Sequence, residues 1–124
     1  MNITIYEPPR SKKNSQQIVR IKGRPILIQS KVYKDYEKAC GAYLTGVVDE
    51  PINTPIAIRC EYYMPTKRKV DLTNLLEATH DVLVKYGVLA DDNRNIIASV
   101  DGSRVFYDKE KPRTEIYITN YTGE

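Results

Sequence analysis

The stretch from Lys67 to Asp92 places a basic run beside several carboxylates, with a helical pattern in between. Lys67, Arg68 and Lys69 form the basic run. Five acids follow within twenty-two residues: Asp71, Glu77, Asp81, Asp91 and Asp92. Mg²⁺ prefers oxygen ligands and binds through one or two carboxylates together with phosphate oxygens, and it activates water for attack on a phosphodiester. These residue types therefore suggest hydrolysis of a nucleic-acid backbone, with the basic run holding the phosphates.

The same carboxylates also have a structural explanation. Asp71 stands where the helical pattern begins, and an Asp there caps free backbone N–H groups and meets the positive end of the helix dipole. Asn74, Glu77 and Asp81 are spaced to share one polar helix face. The adjacent acids Asp91-Asp92 follow in a turn. From these residues alone, a solvated structural cluster is the preferred interpretation, and a metal site is the alternative.

Length and composition favour one domain over residues 1–124. The chain has no run of eighteen apolar residues and its start lacks a secretory pattern, so we expect no membrane span and a cytoplasmic location. Cys40 and Cys60 lack metal-ligand spacing and are expected to be buried free thiols. His80, the only histidine, is expected on the helix surface without a role.

Charge is unevenly distributed along the chain, whose net charge is +3. Residues 1–38 contain nine Lys or Arg and three acids, whereas residues 39–124 contain ten and thirteen. A basic half beside an acidic half favours a polyanionic partner for the first and a cation for the second. A solvated basic face without a partner explains the charge equally well.

Periodicity predicts the elements that must position these side chains. Five segments have the character of extended chain: 2–7, 18–28, 56–64, 95–108 and 113–121. Lys22-Gly23-Arg24 and Asp101-Gly102 interrupt two of them and predict hairpins. A helix is predicted over 31–44, with Ser30 as its N-cap, and another from Asp71 to the stop at Gly87. The order predicts an α+β fold, a two-layer sandwich of a small mixed sheet with two helices on one face.

Two quoted stretches together resemble a known family. "MPTKRKVDLTNLLEATHDVLVKYGVLADD" contains a basic run, Asp-Leu-x-Asn-Leu, a helix with Asp-x-Leu, and Gly-Val-x-x-Asp-Asp. "PPRSKKNSQQ" is similar to a Pro-rich opening loop that carries an Asn. In this order and spacing, they resemble the RusA family of Holliday junction resolvases of bacteria and phages, over essentially the entire chain.

The resemblance implies a homodimeric endodeoxyribonuclease that depends on Mg²⁺, with Mn²⁺ as a possible substitute, and uses no small-molecule cofactor. Its substrate would be the four-way DNA junction, resolved by paired symmetric nicks. The family positions imply a metal held by Asp71 and Asp92, with Asp91 beside them. Asp81 also matches a family position, where it would support the site or hold an arginine or a backbone group.

Two residues depart from the family pattern. Thr73 stands where the family has a second Asp, and Glu77 stands where it has a Lys. Either the site is impaired and the protein binds junctions with little or no cleavage, or Glu77 replaces the missing acid as a catalytic and metal-binding residue. The replacement is geometrically possible, because Thr73 and Glu77 are four residues apart on one side of the helix. An active enzyme is the preferred interpretation, because the resemblance extends to family members that also carry Thr or Ser at this position. Lys69, Lys85 or a residue of the opening loop would replace the lost cation.

DNA binding by such a protein would be carried mainly by phosphate contacts. The expected DNA-binding residues lie in the opening loop, the basic run and the helix that follows it: Lys12, Lys13, Asn14, Lys67, Arg68, Lys69 and Asn74. No tyrosine is assigned to DNA, because most of the ten tyrosines fall within predicted elements, where core or dimer packing is the expected use.

Overall fold

Seven strands and two helices account for the regular structure of residues 1–12, 16–29 and 31–123, which are the parts of the chain that this computed structural model describes. The strands are β1 (Asn2–Ile5), β2 (Gln16–Ile21), β3 (Arg24–Gln29), β4 (Ile56–Met64), β5 (Ile97–Ser99), β6 (Arg104–Tyr107) and β7 (Arg113–Asn120). The helices are α1 (Lys31–Leu44) and α2 (Leu72–Lys85). The predicted α+β class is confirmed, and the bounds of α1 and β4 agree with those predicted.

β4 is the central strand of a mixed five-stranded sheet. It pairs antiparallel with β7, from Ile56 opposite Asn120 to Tyr63 opposite Arg113, and β1 adds antiparallel to the far side of β7. Alternate residues of β4 are buried, from Ile56 to Tyr62, while those between them are partly exposed. The alternation in the sequence thus sets which side chains of β4 face the core.

The predicted hairpin around Asp101-Gly102 is wrong. β5 and β6 do not pair with each other; both run parallel to β4, along the edge that β7 leaves free. Between them the chain makes a turn with Gly102 at φ +85, and the Ser103 hydroxyl accepts a hydrogen bond from the Cys60 N–H at 3.0 Å. The turn therefore interrupts one strand instead of reversing it, because the available partner is the edge of β4.

β2 and β3 form a separate antiparallel hairpin. Lys22 and Gly23, with φ of 53 and 79, make its turn, as the sequence predicts. Three isoleucines of the hairpin are exposed: Ile18, Ile21 and Ile26. Ser30, the predicted N-cap of α1, lies outside the described residues.

Both helices contribute apolar side chains to the same buried cluster as the five-stranded sheet. Gly41 of α1 lies against the Tyr86 ring, where an added Cβ would come within 2.8 Å of a ring carbon. The Tyr86 hydroxyl donates a hydrogen bond to the Glu37 carbonyl at 2.8 Å.

Cys40 and Cys60 are buried free thiols, as predicted, and burial raises the pKa of Cys40 to about 11 and that of Cys60 to about 12. Neither helix of the described ranges is long and apolar enough to cross a membrane.

Candidate functional site

Asp71 occupies the N-cap position of α2, as predicted, but its side chain makes no capping hydrogen bond. The predicted capping role of the carboxylate is therefore wrong. One of its oxygens instead accepts a hydrogen bond from the Asn74 side-chain amide at 3.2 Å, and the residue is exposed. Because a carboxylate has about four lone-pair positions, Asp71 retains capacity for a further ligand, and Asn74 restrains its orientation.

A cleft of 520 Å³ lies beside the start of α2. It brings together the opening loop, the end of β4, the basic run and the first turn of α2: Pro9, Arg10, Ser11, Met64, Pro65, Thr66, Arg68, Lys69, Val70 and Leu75. Three of these side chains are cationic, and none of the three forms an ion pair within residues 1–12, 16–29 and 31–123. We call this surface the basic cleft. Its positive charge fits a phosphate backbone.

The second group of acids lies in the turn after α2. A parallel β-bridge between Ile52 and Leu89 holds this turn in place. The Ile52 carbonyl accepts a hydrogen bond from the Ala90 N–H, and the Ile52 N–H donates one to the Val88 carbonyl, both at 2.9 Å. The Asp91 carboxylate accepts bonds from the Asp92 N–H at 2.7 Å and from the Asn93 amide at 3.1 Å. Asp91 therefore shapes the turn, whereas the Asp92 carboxylate is exposed and accepts no hydrogen bond from another described residue.

His80 is half-buried, so the expectation of a surface histidine is wrong. Its Nε2 atom is buried and has no hydrogen-bond partner among the described residues. Burial lowers the pKa of His80, and the nearby carboxylates of Asp92 and Asp81 oppose that effect. The turn beyond α2 thus brings Asp92 back within electrostatic range of the third helical turn.

The opening loop is attached to the polar side of α2 through Lys12. Its ammonium lies 2.7 Å from the Asp81 carboxylate and 6.0 Å from the centre of the Tyr33 ring. Burial raises the pKa of the Tyr33 hydroxyl, with Glu37, Asp81 and Glu77 among the acids that add to the effect. Asp81 therefore binds a lysine, and Glu77 lies on this same side of the helix. Lys13 and Asn14, two of the expected DNA-binding residues, lie outside the described residues.

The proposed metal ligands Asp71, Asp92 and Glu77 are exposed, but the three do not form one cluster. No group of three or more His, Cys, Asp or Glu side chains suited to a metal is found in the described ranges. Asp92 lies within electrostatic range of His80, and a rise of about 1.5 Å per residue separates His80 from Asp71 by about 13 Å along the helix axis. Binding of one ion by both Asp71 and Asp92 therefore requires the Asp92 side chain to extend back toward the start of α2. Exposed carboxylates at Asp71 and Asp92 fit the chemistry of Mg²⁺, which needs only one or two of them besides water and phosphate oxygens. The set Asp71, Asp92 and Glu77 stays a prediction.

Comparison with known proteins identifies the family. A family model described as Endodeoxyribonuclease RusA matches residues 7–119. The chain belongs to the RusA family. RusA relatives include the crossover junction endodeoxyribonuclease RusA of Escherichia coli strain K12, 30% identical over 92 residues, which are 73% of this chain and 72% of that protein. Proteins of the same name from Enterobacteria phage 82 and Shigella sonnei strain Ss046 are 32% identical with the same coverage.

Sequence reasoning missed two features of this RusA chain. The pairing of Lys12 with Asp81 connects residues 69 positions apart, and nothing in the local pattern of either residue indicates it. Tyr107 lies beside Lys67 of the basic run, with the ammonium 5.1 Å from the ring centre. Tyr107 falls in the predicted extended segment 95–108, and the one available signal was that Val105, Phe106 and Tyr107 are three consecutive large apolar residues, which breaks the alternation of a half-buried strand.

Proposed function

We propose that this protein is a metal-dependent endodeoxyribonuclease that resolves four-way DNA junctions by paired symmetric nicks, in the cytoplasm of a bacterium or of a phage-infected cell. The observation that supports this most strongly is the position of the exposed Asp71 carboxylate beside the basic cleft. Membership of a family whose relatives are named crossover junction endodeoxyribonucleases supports the substrate class.

Each part of the site has a distinct role in this proposal. Arg10, Arg68 and Lys69 hold the phosphates of one strand in the basic cleft. Asp71, oriented by Asn74, would hold Mg²⁺ or Mn²⁺ together with the loop acid Asp92, with Asp91 shaping the turn and Glu77 as the candidate replacement for the acid missing at Thr73. An ion held by these residues would supply the charge that polarises the scissile phosphate and activates water.

Two identical nicks require two active sites, so we propose a homodimer with two-fold symmetry, which matches the symmetry of the junction. Within each subunit we propose a single two-layer domain with both helices on one face of the sheet. The burial of alternate β4 residues and the common apolar cluster of sheet and helices support the layered arrangement.

A second candidate function is junction binding with weak or no cleavage. Two observations favour it: Thr73 and Glu77 differ from the family pattern, and no three-residue metal group is formed in the described part of the chain. In that case the basic cleft would hold DNA, while the acids would serve only the helix start and the turn.

A labelled synthetic four-way junction and a linear duplex of the same sequence separate these functions. We expect Mg²⁺-dependent nicks at symmetric positions on the junction, no nicks on the duplex, and no activity in EDTA. Asp71→Asn should abolish nicking and leave junction binding intact or tighter, because repulsion of the phosphates falls. The matched control is Asp101→Asn, an exposed acid in the turn between β5 and β6, which should nick normally.

Retarded mobility of the junction without nicks, at all Mg²⁺ and Mn²⁺ concentrations, would select the binding protein over the enzyme. A wild-type protein that neither binds nor cuts the junction would reject both functions. Normal nicking by Asp71→Asn would show that the active site lies elsewhere.

A further inference from the structure

Tyr107 is an exposed aromatic side chain at the margin of the basic cleft. It is the last residue of β6 and pairs with Met64, the last residue of β4, and the Asp108 N–H donates a hydrogen bond to the Met64 carbonyl at 2.9 Å. Met64 lines the basic cleft, and the chain continues from it into the basic run. The Tyr107 side chain is 49% exposed. A large ring is therefore presented to solvent at the point where the basic residues begin.

The basic run itself contacts this ring. The Lys67 ammonium lies 5.1 Å from the centre of the Tyr107 ring, within the range of a cation–π interaction. Strand register also places Tyr107 on the core side of the sheet. Side chains alternate along β4, so Met64 is on the same side as the buried Tyr62, and Tyr107 is its registered neighbour. Tyr107 and the cleft thus share one side of the molecule.

The adjacent ring, Phe106, is positioned differently. It is on the opposite face of the sheet, stacked on Tyr63 with ring centres 5.0 Å apart. The Arg113 guanidinium lies 3.8 Å from the centre of the Tyr63 ring. Glu61 and Glu115 are on that face too, and their carboxylates would repel phosphates. Phe106 is exposed too, but carboxylates share its face, whereas Tyr107 has the Lys67 ammonium beside its ring and lies at the basic cleft.

We propose that Tyr107 stacks on a nucleobase that is exposed where strands exchange at a branch point, while the basic cleft holds the adjacent phosphates. This inference rests on the proposed function and adds a residue that distinguishes branched DNA from linear duplex. In a linear duplex every base is stacked inside the helix and offers no free face. A branch point offers one, and base–aromatic stacking tolerates any base sequence. The basic cleft supplies affinity for both kinds of DNA, and Tyr107 supplies the difference.

The test compares Tyr107→Leu and Tyr107→Phe with the wild type, using Kd for a four-way junction and for a linear duplex of the same sequence at one salt concentration. Tyr107→Leu should weaken junction binding about tenfold, the size of one base–aromatic stack, and change duplex binding less than twofold. Tyr107→Phe should retain the wild-type ratio, because it keeps the ring. Phe106→Leu, which changes the neighbouring residue on the opposite face, should also leave the ratio unchanged.

A direct readout uses 2-aminopurine placed in turn at each position of the branch point. The wild type and Tyr107→Phe should quench its fluorescence at one position at least, and Tyr107→Leu should not. Equal weakening of junction and duplex binding by Tyr107→Leu, or quenching that survives in this variant, would overturn the inference while the wild type still cuts junctions. A wild type that binds four-way junction and linear duplex with equal Kd would instead overturn the proposed function and the inference together.

Discussion

The two sides of the sheet near Met64 and Tyr107 contain similar residue types arranged in opposite ways. On the side away from the core, which we call the open face, two arginines are paired: Arg59 with Glu61 at 2.7 Å, and Arg113 with Glu115 at 2.6 Å and Asp108 at 2.9 Å. In the basic cleft, Arg10, Arg68 and Lys69 form no ion pair with any other described residue. The number of charges is therefore less informative about binding than whether each charge already has a partner.

The physical consequence differs between the two surfaces. On the open face, Arg59 and Arg113 are neutralised by neighbouring carboxylates, and they also cover the rings of Tyr117 and Tyr63 at 4.1 and 3.8 Å. Such a surface gains little from a charged ligand. The basic cleft concentrates like charges that repel one another, and a phosphate backbone relieves that repulsion while releasing counterions.

The largest expected effect distinguishes the two acids of the turn beyond α2. Asp92→Asn should lower the single-turnover nicking rate of the junction by about 100-fold or more, because a carboxylate that holds the metal contributes several kcal/mol. Asp91→Asn should cost clearly less, since the Asp91 carboxylate is engaged in shaping the turn. On the open face, Glu115→Gln should leave the rate within twofold. Equal losses for both turn acids would contradict the assignment of Asp92.

A smaller effect concerns DNA affinity. The double substitution Arg68→Gln with Lys69→Gln should weaken binding of junction and duplex alike by about tenfold at moderate salt, and reduce the slope of log K against log salt by about two. The matched control is Arg59→Gln with Arg113→Gln, which removes the same charge from the open face. Salt titrations with this control should give the wild-type slope, and a reduced slope would place DNA on the open face.

The smallest effect concerns stability. The Tyr117 hydroxyl, followed by Arg113, holds the pKa of Glu115 below its ordinary value of 4.5. A lowered folded-state pKa stabilises the protein above pH 4.5, and this contribution is lost as the pH falls below that value. Glu115→Gln should therefore cost about 1 kcal/mol of unfolding free energy at pH 7, measured by urea titration, and less below pH 4. Glu110→Gln, at an exposed acid without such partners, should show no deficit at either pH.

Local patterns predicted most of the fold. α1 and β4 were predictable because helical period and strict alternation each extend over nine or more residues, and burial follows the same period. Asp101-Gly102 was misread because a turn dipeptide indicates where the chain bends, not which strand edge it then meets. That choice depended on the edge of β4, more than forty positions away in the sequence.

The candidate site was predictable in composition more than in geometry. Asp71 and the basic run are neighbours in sequence, and the resemblance identified Asp92. The contribution of Arg10 to the cleft and the pairing of Lys12 with Asp81 depend on how the opening loop crosses α2. His80 was expected on the surface because its neighbours in the helix are polar, but it is half-buried, and the Asp92 carboxylate lies close enough to act on it electrostatically.

The close contact between Gly41 and Tyr86 has a consequence for how this protein can change over generations. This contact and the ion pair of Lys85 and Glu37 at 2.7 Å both connect the C-terminal end of α2 to α1. Asp71 is at the other end of the same helix and supports no packing. In the proposed function, substitutions at Asp71 would silence cleavage, and they would do so without unfolding the chain. A lineage that lost cleavage would keep an intact DNA-binding scaffold, available for selection in a new role.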